Sequence, residues 1–349
     1  MKDTMCTIAN FNCTFNVDGE SKPMLEYFQS IILPAMSNPK IMRETKKGEQ
    51  ITAKYFLYDV ELIEISKGEY ALIGKHVKRA FLRIDQDITP EEGIVPIGET
   101  RTSAPYSIFI LLLRNHRVIY FKNSDQGAPD IRSFSKTVRE IVRQFLRGKR
   151  NDLINELKNS KFIYDEVEYK KIRDFTEKVL NKKYPDSEIN IVPIESNELI
   201  EEKFKEIYKI KKFNLYVYKL NSENHYDDYL DSVSNFATTI GTEKIVQTAN
   251  GPKNIGAIKK MLSSARGKFD YLIDAISRKD DKIKLRPTDV SESIPIKYDE
   301  KSTDEDIVKS VYELVKSKSE VSNDNSEINA SLYKGKQTLF SDLLYKFKN

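Results

Sequence analysis

Six basic residues lie close together between positions 136 and 150. They are Lys136, Arg139, Arg143, Arg147, Lys149 and Arg150. At about 100° per residue, intervals of three and four place the first four on one face of a helix. Guanidinium groups bind phosphate oxygens through paired hydrogen bonds, so the row predicts contact with a phosphate backbone. The other interpretation is a solvated face whose late arginines favour the carboxyl end of the helix dipole.

A second basic stretch, residues 244–269, contains six basic residues and no acidic residue. Its segment Asn250-Gly251-Pro252-Lys253-Asn254 precedes a predicted helix, whose first N–H groups and positive dipole end suit a phosphate. The candidate contacts are Lys253, Lys259 and Lys260. The other interpretation is an ordinary Gly-Pro turn before a helix cap. The stretch lacks the patterns of a P-loop and of a dinucleotide-binding fold, so we predict no cofactor.

One group of acidic residues is a candidate for metal-dependent catalysis. Asp186 and, fifteen residues later, Glu201-Glu202-Lys203 resemble the PD-(D/E)xK nuclease arrangement, which implies carboxylates around Mg²⁺ and a lysine near the attacking water. In that family the second acid and the lysine lie on a strand, whereas Ser196–Phe204 here is typical of an N-capped helix. The three histidines are far apart in the sequence, and neither C-x-x-C nor H-x-x-x-H spacing occurs, so we predict no metal site. Catalytic residues, and whether the chain is an enzyme, stay open.

The C-terminal residues contain an apolar pattern at helical spacing. Its members are Leu339, Phe340, Leu343, Leu344 and Phe347. A polar stretch, residues 319–332, precedes it and has the composition of a linker. The pattern predicts docking onto a partner protein, a second subunit or the chain's own core. The residues from Gln337 onward also resemble the Q-x-x-h-x-x-a-a motif of sliding-clamp ligands, with two leucines in place of the final aromatic pair.

The elements that must position these residues change in character near residue 150. Residues 1–150 contain alternating segments joined by short turns, which predict an antiparallel sheet, and the clearest hairpin pairs Tyr106–Leu113 with Val118–Phe121. The predicted helix Ile131–Leu146 carries the basic row and an opposite apolar face, which we expect to cover the sheet. Residues 151–318 alternate helices and short strands, which is typical of an α/β domain with a mixed sheet. We therefore predict an α+β protein with domains 1–150 and 151–318 and a tail, 319–349.

The overall charge is nearly balanced but unevenly distributed. The 349 residues include 57 Lys and Arg and 53 Asp and Glu, a net charge of +4, which excludes a histone-like polycation and an acidic disordered chain. Residues 72–150 alone contain 15 basic and 8 acidic residues, a net charge of +7. The sequence has neither a bilayer-length apolar run nor a secretory signal pattern, so we expect a cytoplasmic protein without membrane contact.

These features together favour a nucleic-acid-associated protein that contacts the phosphate backbone through its basic helix. Because housekeeping motifs are absent, we expect membership of a multi-protein system such as prokaryotic phage defence. Two alternatives stay open. One is a non-enzymatic interaction or scaffold protein that assembles through its C-terminal tail, and the other is a metal-dependent nuclease whose acids converge only in the fold.

Overall fold

The computed structural model describes residues 2–89, 93–123, 127–159, 177–218, 228–242, 244–299, 301–322 and 327–348. Within these residues, two antiparallel sheets and the helices packed against them form an α+β structure, the class predicted from the sequence. In chain order the strands are β1 (Lys2–Val17), β2 (Glu20–Pro23), β3 (Arg43–Lys47), β4 (Gln50–Ser66), β5 (Glu69–Thr89), β6 (Gly93–Ser103), β7 (Tyr106–Leu112), β8 (Arg117–Lys122), β9 (Asp186–Pro193), β10 (Ile207–Tyr218), β11 (Lys244–Asn250), β12 (Asp270–Ser277), β13 (Lys282–Leu285) and β14 (Ser293–Tyr298).

The larger sheet has ten strands in the described part of the chain. Its order is β14-β1-β8-β7-β5-β4-β3, with β2 and β9 also paired to β1 and β6 paired to β5. Both faces of this sheet are covered, as alternate residues of β1 show. Phe11 and Phe15 are buried in the core on one face, and Cys6 and Ile8 in the core on the other. A strand buried on both faces explains why its sequence is so continuously apolar.

Helices cover the two faces of the large sheet. The first helical segment comprises a 3₁₀ turn (Met24–Tyr27), a π-helical turn (Phe28–Ile32) and α1 (Leu33–Met36). The later helices are α2 (Ile131–Asn159), α3 (including residues 177–183), α4 (Asn197–Glu206), α5 (Asp228–Thr239), α6 (Ile255–Ala265), α7 (Asp304–Val315), α8 (Ser319–Ser322) and α9 (Glu327–Lys348). Apolar residues of α2 and α9 join the core on one face, and those of α7 join the core on the other.

Helix α2 is longer than the sequence predicts. The sequence predicts an end at Leu146, because Gly148 two residues later is a typical stop signal, but the helix continues through this glycine to Asn159. Gly148 has open space where a Cβ would lie and no positive φ, so it is an ordinary helical residue here. A glycine inside a helix lowers its stability but does not end it unless the backbone turns left-handed.

The smaller sheet, in the order β11-β10-β12-β13, packs against α4, α5 and α6. Each of its three described pairings is antiparallel, so the prediction of a mixed sheet is wrong. The reason lies in the crossover through α6. This helix connects β11 with β12, which run parallel to each other but lie on opposite sides of β10. An alternating helix–strand sequence therefore did not imply neighbouring parallel strands.

Two strands from beyond residue 150 belong to the large sheet. β9 pairs with Ala9–Asn16 of β1, and β14 pairs with Lys2–Thr7. The small sheet is thus an insertion between two strands that return to β1. The proposed linker, residues 319–332, is helical at Ser319–Ser322 and again from Glu327, which corrects that prediction. Val321 is buried, and its carbonyl accepts a hydrogen bond from the Asn115 side chain at 2.6 Å.

Candidate functional site

A cleft of about 480 Å³ lies where helix α2 and strand β9 face the small sheet. Its charged lining comprises five basic and two acidic side chains. They are Arg132, Lys136, Arg139, Lys244, Arg286, Glu188 and Asp270. The uncharged lining includes Ser135, Asn190, Tyr218, Thr288 and the apolar segment 191–193. A concave, mainly cationic site with a few polar groups is suited to an anionic ligand.

Two cations of the cleft have donors available for a ligand. Lys136 lies on α2, and Arg286 precedes the 3₁₀ turn Pro287–Asp289. Both side chains are exposed, and neither donates a hydrogen bond or forms an ion pair within the described part of the chain. Their sequence separation of 150 residues shows that only the fold brings these two charges to one place.

Arg132 joins the two walls of the cleft. Its guanidinium donates to the Thr288 hydroxyl and, at 3.0 Å, to the Asp289 carboxylate. These bonds connect the first turn of α2 to the segment that follows the small sheet. Arg132 thereby fixes the width of the cleft at one end and keeps part of its positive charge there.

Arg139, predicted to bind phosphate, has partners within the chain. Its Nε donates to the Ile189 carbonyl at 2.9 Å, and its Nη2 donates to Asn190 Oδ1 at 2.8 Å. The Asn190 amide in turn donates to Glu188 at 2.8 Å. These hydrogen bonds hold α2 against β9 and fix the orientation of the Arg139 side chain. The positive charge of this side chain still lines the cleft.

Lys244, at the start of β11, lies over two tyrosine rings of β10. Its Nζ is 4.4 Å from the centre of the Tyr216 ring and 5.5 Å from that of Tyr218. Tyr218 is buried and forms part of the cleft wall. Both distances are within the range of cation–π attraction, which holds the ammonium group at the cleft.

Asp270, the first residue of β12, places a carboxyl among these cations. Its Oδ1 accepts the backbone N–H of Tyr271 at 2.7 Å, and the side chain is half-buried. Burial raises the pKa of this carboxyl above its ordinary value, while the positive charges of Lys244, Arg286 and Arg132 lower it. The cleft therefore offers a hydrogen-bond acceptor inside a ring of cations.

The remaining residues of the basic row lie away from the cleft. Arg143 forms an ion pair with Glu140 at 2.8 Å, and Lys149 lies 5.7 Å from the centre of the Phe145 ring. Arg150 donates to the Tyr184 carbonyl at 2.6 Å and forms an ion pair with an aspartate of β9 at 2.8 Å. Arg147 is exposed beyond the cleft wall. The basic row therefore divides into residues that line the cleft and residues whose contacts hold the helix in place.

The second basic stretch is divided in the same way. Lys259 forms an ion pair with Glu201 at 2.7 Å, which connects α6 to α4. Asn254 caps α6 by accepting the Ala257 N–H at 3.0 Å, the ordinary turn-and-cap interpretation. Lys253 and Lys260 are exposed and lie outside the cleft lining.

A buried histidine connects α2 to the large sheet. His76 Nδ1 lies 2.9 Å from the Tyr120 hydroxyl, and its Nε2 lies 3.1 Å from the Thr137 hydroxyl of α2. Burial and, to a smaller extent, the charge of Arg43 lower the pKa of His76 to about 3. The neutral ring therefore has a structural role in placing the helix that carries the basic row.

The apolar tail pattern packs onto the chain's own core. Phe340 and Leu343 are buried, and Leu339 and Leu344 pack beside them. The Phe340 ring meets that of Phe28 edge to face, with centroids 5.5 Å apart. The side chain of Phe347 lies outside the described ones. Of the three docking surfaces that the sequence left open, these side chains occupy the chain's own core.

The nuclease candidate is not assembled. Asp186 begins β9 and Glu201 lies on α4, and both side chains are exposed. Each forms an ion pair with a base, Asp186 with Arg150 and Glu201 with Lys259. Over the described residues, no group of three or more His, Cys, Asp or Glu side chains is placed to hold a metal ion. The resemblance to the PD-(D/E)xK arrangement therefore arises from sequence spacing alone.

Several cleft residues were not singled out from the sequence. Lys244 belongs to the acid-free stretch, so charge counting could have selected it. Arg132, two positions into α2, precedes the predicted row by four residues and continues its spacing. Arg286, Tyr218 and Asp270 carry no local signal, because each lies on a different element of the small sheet or its exit segment.

Comparisons with protein-family models and with curated proteins found no match. The expected connection with phage defence therefore stays a prediction from the sequence. None of the helices in the described ranges is long and apolar enough to cross a membrane.

Proposed function

We propose that this protein binds nucleic acid, with the cleft between α2 and the small sheet as the phosphate-binding site. The observation that carries the proposal is the convergence of Lys136 and Arg286, two cations with available donors, on a cleft that Arg132, Arg139 and Lys244 also line. Cations around a concave surface raise the local concentration of polyanions and donate hydrogen bonds directly to phosphate oxygens.

This proposal narrows the expectation from the sequence. The basic helix contributes its first two turns, through Arg132, Lys136 and Arg139, whereas Arg143 and Arg150 are engaged with acidic groups of the chain. The cations on the opposite wall of the cleft come from the small sheet and the segment that follows it. A phosphate backbone therefore lies against the cleft mouth rather than along the whole helix.

The alternative function, assembly through the C-terminal tail, has less support. An interaction motif needs apolar side chains that are available to the partner. Phe340 and Leu343 are buried in the core of the same chain, so a partner would have to displace them.

Salt-dependent binding of single-stranded and duplex oligonucleotides tests the proposal. Lys136→Ala and Arg286→Ala should each weaken binding at low salt by about tenfold or more, since each removes a charged hydrogen bond worth about 1.5–3 kcal/mol. Each should also lower the slope of log affinity against log salt by about 0.7 on single strands and about 0.9 on duplex.

Lys253→Ala and Lys260→Ala are matched controls, because they remove the same charge from exposed positions outside the cleft. They should leave the slope within about 0.3 of the parent value. An equal loss of affinity and slope in the controls would contradict the cleft as the binding site. Unchanged binding in Lys136→Ala and Arg286→Ala together would contradict the proposed function.

A further inference from the structure

Asp270 makes the cleft unsuited to a ligand that is only anionic. Its carboxyl lies near Lys244, Arg286 and Arg132, close enough for their charges to lower its pKa. A phosphate that approaches these cations also approaches the carboxyl oxygens, which repel it when Asp270 is ionised. The arrangement becomes favourable for a ligand that presents its anionic group to the cations and a hydrogen-bond donor to Asp270.

The Asp270 carboxylate can accept further hydrogen bonds. Tyr271 N–H is its one hydrogen-bond donor within the described ranges, and it binds Oδ1. A carboxylate has about four lone-pair sites. The second oxygen therefore accepts no hydrogen bond from the described residues, and a donor from a ligand can bind it.

The size and wall of the cleft further restrict the ligand. About 480 Å³ lies in the lower half of the range, roughly 300–1,000 Å³, typical of small-molecule sites. Ile191, Val192, Pro193 and Pro287 are the apolar residues of its lining. A ring system can pack against such residues, whereas a volume of about 480 Å³ is too small to enclose a nucleic-acid duplex.

We propose that the cleft binds one nucleotide, with its phosphate on Lys136 and Arg286 and an N–H or O–H group of its base or sugar on Asp270. This inference rests on the proposed function and specifies the ligand unit that enters the site. The nucleotide comes either from the end of a single strand or from free nucleotide, since both present the same phosphate, sugar and base.

The test compares ligands that carry one or both features. Equilibrium dialysis measures the affinity of the four ribonucleoside 5′-monophosphates, the four nucleosides and inorganic phosphate for the full chain. We expect at least one monophosphate to bind about tenfold or more tightly than both its nucleoside and inorganic phosphate, because only it engages both groups. If inorganic phosphate binds as tightly as every monophosphate, the inference is wrong.

Asp270→Asn should change the affinities for inorganic phosphate and for the monophosphate in opposite directions. The amide removes the repulsion, so inorganic phosphate should bind about threefold or more tightly, while the monophosphate loses a charged acceptor and should bind more weakly. Asp281→Asn, on the exposed turn between β12 and β13, is the matched control and should change neither affinity. Equal changes for both ligands in Asp270→Asn would overturn the role of Asp270.

Competition identifies the source of the nucleotide. A linear 5′-phosphorylated single strand that displaces the monophosphate, while a circular single strand of the same sequence does not, identifies a strand end. If neither displaces it, the ligand is free nucleotide. The folded state of Asp270→Asn is checked by circular dichroism, and the ligand comparison on the parent chain stands without this variant.

Failure of this inference differs from failure of the proposed function. If monophosphates show no preference over phosphate but oligonucleotides still bind with a salt slope that depends on Lys136, the chain binds a backbone without a nucleotide site. Loss of all dependence on Lys136 and Arg286 removes both proposals.

Discussion

The carboxyl of Glu195 predicts a pH-dependent stability that can be measured directly. Glu195 follows β9, and its Oε2 accepts the N–H of Gly267 at 3.0 Å where the small sheet meets the large one. Its other oxygen, Oε1, is buried without a hydrogen-bond partner among the described groups. Burial is the largest cause that raises the pKa of Glu195, backbone N–H groups lower it, and the carboxyl of Asp270 adds a smaller rise, so that the pKa is about 8.

The sign follows from comparing the folded and unfolded chains. The carboxyl of the unfolded chain ionises near its ordinary value of 4.5, whereas that of the folded chain ionises near 8. Between these values the folded chain binds the extra proton, so the free energy of unfolding falls as pH rises. The stabilisation is fully present below pH 4.5 and is lost by about pH 8. At about 1.4 kcal/mol for each tenfold difference in proton affinity, the full loss is about 5 kcal/mol.

Glu195→Gln isolates this contribution. Glutamine keeps the shape and the acceptor for Gly267 N–H but has no proton to lose. The difference in the free energy of unfolding, variant minus parent, should rise by about 1.4 kcal/mol per pH unit from pH 5 to pH 8 and then level off. Urea unfolding followed by circular dichroism measures it, which suits a chain without Trp.

Subtracting the free energy of unfolding of the parent cancels the contributions of other titrating groups, such as buried His76 and His116, because both chains contain them. Glu202→Gln, at an exposed position of α4, is the control, because it makes the same chemical change where water reaches the side chain. The slope against pH for Glu195→Gln should exceed the slope for this control. A difference for Glu195→Gln that is independent of pH, or that falls as pH rises, would refute the reasoning.

Three further predictions concern backbone conformation and packing. Gly267 has φ +74° and would place a Cβ 3.0 Å from both Asn10 Cβ and the Val192 carbonyl, so Gly267→Ala should destabilise the fold by at least about 1–3 kcal/mol. Gly148→Ala, in open space on α2, should stabilise it by about 0.5–1 kcal/mol, and similar urea midpoints for the two variants would contradict this account. Phe340→Ala should destabilise by about 3–5 kcal/mol in urea unfolding, because the ring is fully buried; an effect below 1 kcal/mol would show that α9 is detached in solution.

Local patterns predicted the elements whose determinants lie within a few residues. The hairpin of β7 and β8 follows from two apolar runs around a short polar turn. The start of α4 follows from Ser196, whose hydroxyl accepts the Leu199 N–H in the structure. The apolar face of α2 is another such case, since Phe134, Val138 and Ile141 are all buried.

Features that depend on distant pairings were not predictable in this way. β1 is long enough to pair with β8, β9 and β14 at different positions along its length, and nothing in residues 1–150 indicates the two later partners. The helical state of the predicted linker depends likewise on a distant contact, the Asn115 side chain at the Val321 carbonyl. Composition described that segment correctly as polar but could not reveal its partner.

The set of charges that lines the cleft was unpredictable for the same reason, because residues far apart in the sequence supply it. The cleft also indicates which of these residues gives the clearest experiment. Arg132 and Arg139 hold α2 in place, and Lys244, Arg286 and Arg132 stabilise the ionised form of Asp270. Removing any of these four therefore changes the cleft itself as well as its attraction for a ligand. Lys136 takes no part in the described hydrogen bonds and ion pairs, although it lines the same wall. Since its loss should leave the free energy of unfolding within about 0.5 kcal/mol of the parent value, a fall in affinity on Lys136→Ala reports ligand contact alone.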